Sequence, residues 1–197
     1  MPPDLATDFE YSSVSIERQA PPAGADPIGR EAELGRLGAL YDLAARGRRQ
    51  VVFVTGEAGI GKTTLVEAFA GQAGRERAGL VARGQCLEQR GAPEPDLPVF
   101  DAFGRLCRAD PAAVALLSRV APTWLAQMPA LVEPADRADL ERRALGGTRE
   151  RMLREAAEAL EAAGSDRPLV LVLEDLHWAD PSTVDLLAWL ARRDTPA

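Results

Sequence analysis

Lysine is nearly missing from this chain: of its 23 basic side chains all but one are arginine, and the exception is Lys62. Histidine occurs once, as His177, and cysteine twice, as Cys86 and Cys107. Two cysteines without metal-ligand spacing exclude a disulfide scaffold, and they predict reduced thiols in a reducing cytosol. No basic segment followed by an apolar run opens the chain, and no apolar stretch approaches membrane-spanning length. A cytoplasmic location without membrane contact is therefore expected. Positive charge is also in deficit, with a net charge of −7 and a pI of about 4.9. Arg46, Arg48 and Arg49 form a local patch. There is no basic face of the kind that neutralises a phosphate backbone, so direct nucleic-acid binding by this segment is not expected.

What the chain does have is enough apolar residue for a core. With 197 residues, 46% hydrophobic and 27% charged, it suits one domain of ordinary size. Residues 1–27 hold Pro2, Pro3, Pro21, Pro22 and Pro27 among small and polar side chains, and read as a flexible N-terminal linker. Folding is expected from Ile28 onward. Helical spacing of Leu34, Leu37, Leu40, Tyr41 and Ala44 predicts a helix over 31–46, closed by Gly47. QVVFVT, Gln50 to Thr55, has the pattern of a strand covered on both faces. A helix over 63–70 closed by Gly71 and a weaker strand over 79–83 follow. After a Pro- and Gly-rich loop over 90–98 comes a helical insertion, about 99–145, whose Phe100, Phe103, Leu106, Leu116, Leu117, Trp124 and Leu125 read as core. Between Gly147 and Gly164 the pattern is the clearest helix, with Thr148 as N-cap, Met152, Leu153, Ala156 and Leu160 on one face, and a Glu150–Arg154 pair. LVLVL, Leu169 to Leu173, is a buried strand. Asp180 and Pro181 then open a last helix carrying Val184, Leu187, Trp189 and Leu190. No internal repeat is visible, and the alternation of strands and helices predicts an α/β fold with a parallel sheet flanked by helices.

The isolated lysine lies in Gly56-Glu57-Ala58-Gly59-Ile60-Gly61-Lys62-Thr63, followed by Thr64. This fits G-x-x-x-x-G-K-[ST] between a buried strand and an amphipathic helix, the context a P-loop requires. Glycines let the backbone curl so that successive N–H groups face phosphate oxygens, and the helix start adds partial positive charge. Lys62 is then a compact cation for the β- and γ-phosphates, and the Thr63 hydroxyl a Mg²⁺ ligand. The planar fork of arginine does not fit a cradle shaped for an ammonium, which explains a lone lysine in an arginine-rich chain. A metal-and-water partner is expected on a neighbouring strand, and Glu174 and Asp175 follow LVLVL directly. Successive strand residues face opposite ways, so one carboxylate is expected at Mg²⁺ and the other at the attacking water. His177 reads first as a hydrogen-bonding loop residue and second as a γ-phosphate sensor, and Trp178 reads as packing. Arg149 and Arg151 read as solvated, or alternatively as a charge offered to a neighbour's nucleotide.

IGREAEL (Ile28 to Leu34), VTGEAGIGKTTL, RGQCLEQ and LVLVLEDLHWADPST, in this order, resemble the nucleotide-binding domain of STAND-type, AAA-related signalling ATPases. The resemblance covers about residues 28–197. It implies a P-loop ATPase domain that binds ATP or ADP with Mg²⁺, of the kind found in large bacterial transcription regulators, including LuxR-type activators, and beside nucleotide cyclase domains. It also implies that Ile28, Gly29 and Arg30 lie against the adenine, that residues 56–64 hold the phosphates, and that Thr63, Glu174 and Asp175 serve the metal, with Lys62 and the acids catalytic. The family usually has Asp first after the apolar run, whereas Glu174 precedes Asp175 here, which implies slow hydrolysis with binding retained. In the family a sensor strand lies between the P-loop strand and the acidic strand and follows the latter. The resemblance therefore implies a sheet without its middle strand over 28–197, with sensor, lid and effector domains outside it. The expected function is a nucleotide-dependent switch that acts through self-association or attached effector domains. The alternatives are a non-hydrolysing scaffold with a protein-binding surface over 100–145, and a small-molecule kinase, for which no acceptor constellation is visible.

Overall fold

The computed structural model describes residues 12–15, 29–88 and 94–193. They divide into two compact units, Met1–Ala78 with Ala191–Ala197, and Gly79–Leu190.

In the first unit, strand β1 (Ser12–Ser15) pairs in parallel with β2 (Val52–Thr55), Ser12 opposite Val52 and Ser15 opposite Thr55. Residues 12–15 thus form a strand inside the segment read as a linker, the rest of which lies outside the described residues. Ser-Ser-Val-Ser carries almost no strand propensity, and its backbone is ordered by the ladder it forms with β2. Helix α1 (Glu31–Ala44) precedes β2, and α2 (Lys62–Arg75) follows it. The latter runs through Gly71, where a helix end was expected. Its small core joins Leu37, Ile60 and Leu65, with Leu34, Val52, Val54 and Phe69 packed against them.

In the second unit, β3 (Leu80–Gln85) and β4 (Leu169–Glu174) pair in parallel, Leu80 opposite Leu169 and Gln85 opposite Glu174. Between them lie α3 (Leu97–Ala109), α4 (Pro111–Val120), α5 (Pro122–Leu125), a 3-10 turn (Pro129–Leu131), α6 (Pro134–Ala144) and α7 (Arg149–Ala163). Strand β4 leads through a 3-10 turn (Leu176–Trp178) into α8 (Pro181–Ala191). The expected helical insertion is thus a run of separate short helices, several of them opened by proline at a position where the missing N–H carries no penalty.

Trp124, Phe103, Leu117, Leu125 and Val99 are fully buried at the centre of this unit. The Phe103 ring meets Trp124 edge-on at 5.4 Å, and the indole N–H donates to the Met152 carbonyl at 2.8 Å, so the polar end of the largest core residue is satisfied. Gly84 sets how closely α3 approaches the sheet, since a Cβ there would sit 1.7 Å from the Pro98 carbonyl oxygen. Thr148 caps α7 by accepting from the Arg151 N–H, as its position predicts. Two side-chain expectations are corrected. Arg154 pairs with Glu158, one turn after it, and not with Glu150, one turn before it. In α8 the buried residues are Thr183 and Leu186, while Val184 is exposed. Among the described residues each of the two parallel sheets has two strands, and β2 and β4 belong to different ones. No described helix is long and apolar enough to cross a membrane.

Candidate functional site

The loop between β2 and α2 is shaped by its glycines. Gly59 and Gly61 have φ of 77° and 95°, in the left-handed region that a side chain disfavours. A Cβ at either would meet nothing within 4 Å, so backbone conformation and not crowding requires glycine. Gly61 is also the N-cap of α2, which begins without a side-chain cap. Its first N–H groups therefore have no partner from a capping side chain, the arrangement that suits an anion.

Lys62 turns back over this loop. Its Nζ donates to the carbonyls of Gly56 at 2.9 Å and Glu57 at 2.8 Å. Those two bonds hold the ammonium at the exposed mouth of the loop, with its third proton left to donate. Thr63 and Thr64 are exposed at the first turn of α2. Gly56, Glu57, Ala58 and Gly59 are exposed as well, whereas Ile60 is buried and anchors the loop in the core with Leu37 and Leu65.

Arg30 reaches the same loop. Its guanidinium is buried, pairs with Glu33 at 2.9 Å, and donates to the Ile60 carbonyl at 3.2 Å. The start of α1 is thereby tied to the P-loop. Gly29 is exposed, with φ of 79°, and its N–H donates to Glu31 at 3.3 Å. Ile28 lies outside the described residues.

The acidic pair sits in the second unit, at the end of β4. Glu174, half-buried, is its last residue and lies 3.7 Å from the Arg83 guanidinium on β3. Asp175 is exposed and has left the strand, with φ of 55°. Strand alternation therefore does not extend to it, and the ground for expecting the two carboxylates on opposite faces falls away. What orients Asp175 is Gln85, whose Nε2 donates to its carboxylate at 3.1 Å. His177 and Trp178 are both exposed, their rings 5.1 Å apart, so Trp178 does not serve as packing.

Beyond the 3-10 turn, a polar network fixes the loop. Asp180, buried, accepts from the Asp96 N–H at 3.2 Å, from the Thr183 N–H at 3.0 Å and from the Thr183 hydroxyl. Burial pushes the Asp180 carboxyl up, but these hydrogen bonds, with one from the Ser182 backbone, more than offset it and hold it below the ordinary range. Asp96, 1% exposed and with φ of 59°, shows the opposite balance. Burial raises its pKa more than the hydrogen bond and charge of Arg149 lower it. Arg149 pairs with Asp96 and also donates to the Ser182 carbonyl. Arg151 pairs with the buried Glu155 at 2.7 Å. Both arginines are therefore bound within their own unit, which overturns the readings that left them to solvent or to a neighbour's nucleotide. Sequence reasoning assigned no role to Arg83, Gln85 or Asp96. Gln85 lies in RGQCLEQ, yet its partner is 90 positions away.

Among the described residues no three or more His, Cys, Asp or Glu side chains group as a metal site. A Mg²⁺ carried by a nucleotide needs no such group, because phosphates and water supply most of its ligands. The residues of the P-loop fit a polyphosphate: positive-φ glycines, an uncapped helix start and an ammonium at the mouth.

Strands, helices and a glycine-shaped loop of this kind define an α/β domain of the P-loop class. Residues 26–196 match the family described as "AAA ATPase domain", and the chain belongs to that family. The chain is also similar to an uncharacterized protein of Rhizobium meliloti (strain 1021), 31% identical over 190 residues, covering 86% of this chain and 17% of the relative. It thus spans about a sixth of that relative's length. No solved structure matches significantly.

Proposed function

We propose that this domain binds Mg-ATP and Mg-ADP through residues 56–64 and acts as a nucleotide-dependent switch within a bacterial regulatory protein, of the STAND type found in LuxR-type transcription activators. The observation that supports this most directly is Lys62, its ammonium held over the Gly56 and Glu57 carbonyls at the mouth of a loop leading into an uncapped helix. Triphosphate oxygens entering there replace the two carbonyls as acceptors, and the loop's N–H groups supply the remaining donors. Thr63 is the ligand this loop offers to Mg²⁺, and Glu174 and Asp175 are the acids that the resemblance to STAND-type ATPases assigns to the metal. The ion supplies charge neutralisation across the phosphates when bound. Arg30, Gly29 and Ile28 form the adenine side of the same reading, and Arg30 adds rigidity because it is bonded to the Ile60 carbonyl.

Hydrolysis to ADP and phosphate needs a carboxylate to orient the attacking water. Asp175 takes that role, with Gln85 setting its direction. Glu174, paired with Arg83, is the acid for the metal side. Turnover is slow, because the longer and the shorter acid stand in reverse of the usual order. Calorimetric titration of Mg-ATP and Mg-ADP into the chain and its Lys62→Ala variant tests the reading. Saturable binding that the variant loses supports it. Equal binding by both, or none by a folded chain, overturns it.

A further inference from the structure

The second unit holds an open cavity of about 630 Å³ that the nucleotide reading does not use. One stripe of α3 forms its wall: Leu97, Phe100, Asp101, Gly104, Arg105 and Arg108 recur at three- and four-residue spacing. Facing them is the turn around Pro129–Leu131, which contributes Met128 and Leu131, and Leu87 closes one end beside Gln85. The volume lies within the range of pockets that take small organic ligands, and the lining is mostly apolar with a few polar groups.

The charges are unequal. Arg105 and Asp101 pair at 3.0 Å and offset each other. Arg108 forms no ion pair among the described residues, and its guanidinium lies back along the helix, so that a Cβ on Gly104 would stand 3.4 Å from its Nη1. Glycine at 104 thus leaves room for a cation to lie along the cavity wall. Among the residues that line this cavity two arginines stand against one aspartate, while the Glu174 carboxylate also acts on Arg105, so the cation left for a ligand is Arg108. A neutral apolar ligand would use only the apolar wall of Phe100, Met128 and Leu131, and a hydrophilic anion only Arg108, whereas a ligand with both parts uses both.

We infer that the cavity is a binding site for a small amphipathic carboxylate, its anion at Arg108 and its hydrocarbon body between α3 and the turn at 129–131. The site is separate from the P-loop in the residues that form it, so it stands whether or not nucleotide binds. An occupant also meets Gln85, the side chain that holds Asp175, and so reaches the acidic pair.

Octanoate is the probe and octanol its neutral counterpart, titrated calorimetrically into the full chain. Saturable octanoate binding is expected, at least about tenfold tighter than octanol, the ratio that one charge-assisted contact of roughly 1.4 kcal/mol gives. Arg108→Glu, an exposed residue whose replacement leaves the core intact, is expected to weaken octanoate by at least that factor. Ala130→Phe, on the exposed turn, is expected to fill the cavity and do the same. Lys62→Ala is expected to leave octanoate binding unchanged, which separates this site from the P-loop. Octanoate binding no tighter than octanol, unaffected by Arg108→Glu and Ala130→Phe, or lost with Lys62→Ala, overturns the inference, as does the absence of saturable binding.

Discussion

The two strand ends that carry the chemistry-bearing residues are held in opposite ways. After β2 the loop is shaped by its own backbone: glycines at positive φ, an uncapped helix start, and a lysine bonded to carbonyls five and six residues back. After β4 the chain is held mainly by groups from distant segments, with the Gln85 side chain on Asp175, Arg83 beside Glu174, and the Asp96 backbone N–H on Asp180, which Thr183 three residues on also binds. A loop that is to receive an anion ties its cation only to exposed carbonyls that the anion can replace. Carboxylates that are to address a fixed point need partners that limit their directions.

The comparison breaks most severely at Gly84. Gly84→Val places a side chain where the Pro98 carbonyl now sits, separates α3 from β3, and is expected to destabilise by about 3 kcal/mol or more, overpacking with no flexible atom to yield. Urea unfolding measures it, and a midpoint within experimental error of the parent would refute the packing argument. Lys62→Ala is the complementary case on the backbone-shaped side. It is expected to weaken Mg-ATP binding about 10- to 100-fold, the equivalent of one lost charge-assisted bond of roughly 1.5–3 kcal/mol, with the urea midpoint unchanged.

Asp180 sharpens the comparison through pH. Its folded pKa lies below the unfolded value, so its contribution is present above about pH 4 and is lost as pH falls through the folded pKa. Asp180→Asn is expected to flatten the acid limb of stability against pH. Asp96 has the opposite sign. Its folded pKa is raised, so its contribution is present below the unfolded pKa and is lost as pH rises through the folded one. Urea midpoints from about pH 3 to pH 6 would show the two slopes. The smallest effect is expected at Gln85. Gln85→Ala releases Asp175 and is expected to lower turnover severalfold while leaving the Kd for Mg-ATP unchanged, worth about 1 kcal/mol for a single exposed hydrogen bond. An altered Kd with unchanged turnover would argue against Gln85 as the residue that orients Asp175.

Local signals made the glycine-shaped loop between β2 and α2, the strand ending in Glu174 and the helix capped by Thr148 legible in sequence, since each is written within a dozen residues. The rest depends on pairing at a distance. Strand β1 has no propensity of its own and exists through β2. Gly71 reads as a stop, yet α2 continues because Ala70 and Ala73 on either side of it are buried against neighbours. Arg149 reads as solvated at the opening of an acidic helix. Its partners Asp96 and Ser182 come from segments 53 and 33 residues away. Residues 90–93 of the loop expected over 90–98 lie outside the described residues.

Both thiols of the chain, Cys86 and Cys107, are buried in the second unit. Burial pushes the Cys107 thiol up to about 11 and also raises Cys86, with the carboxylates of Asp180 and Asp175 adding to it. Neither reacts as a thiolate until its surroundings open. The rate of alkylation is therefore a clock for opening of the acidic unit alone, because the unit with the P-loop contains no cysteine.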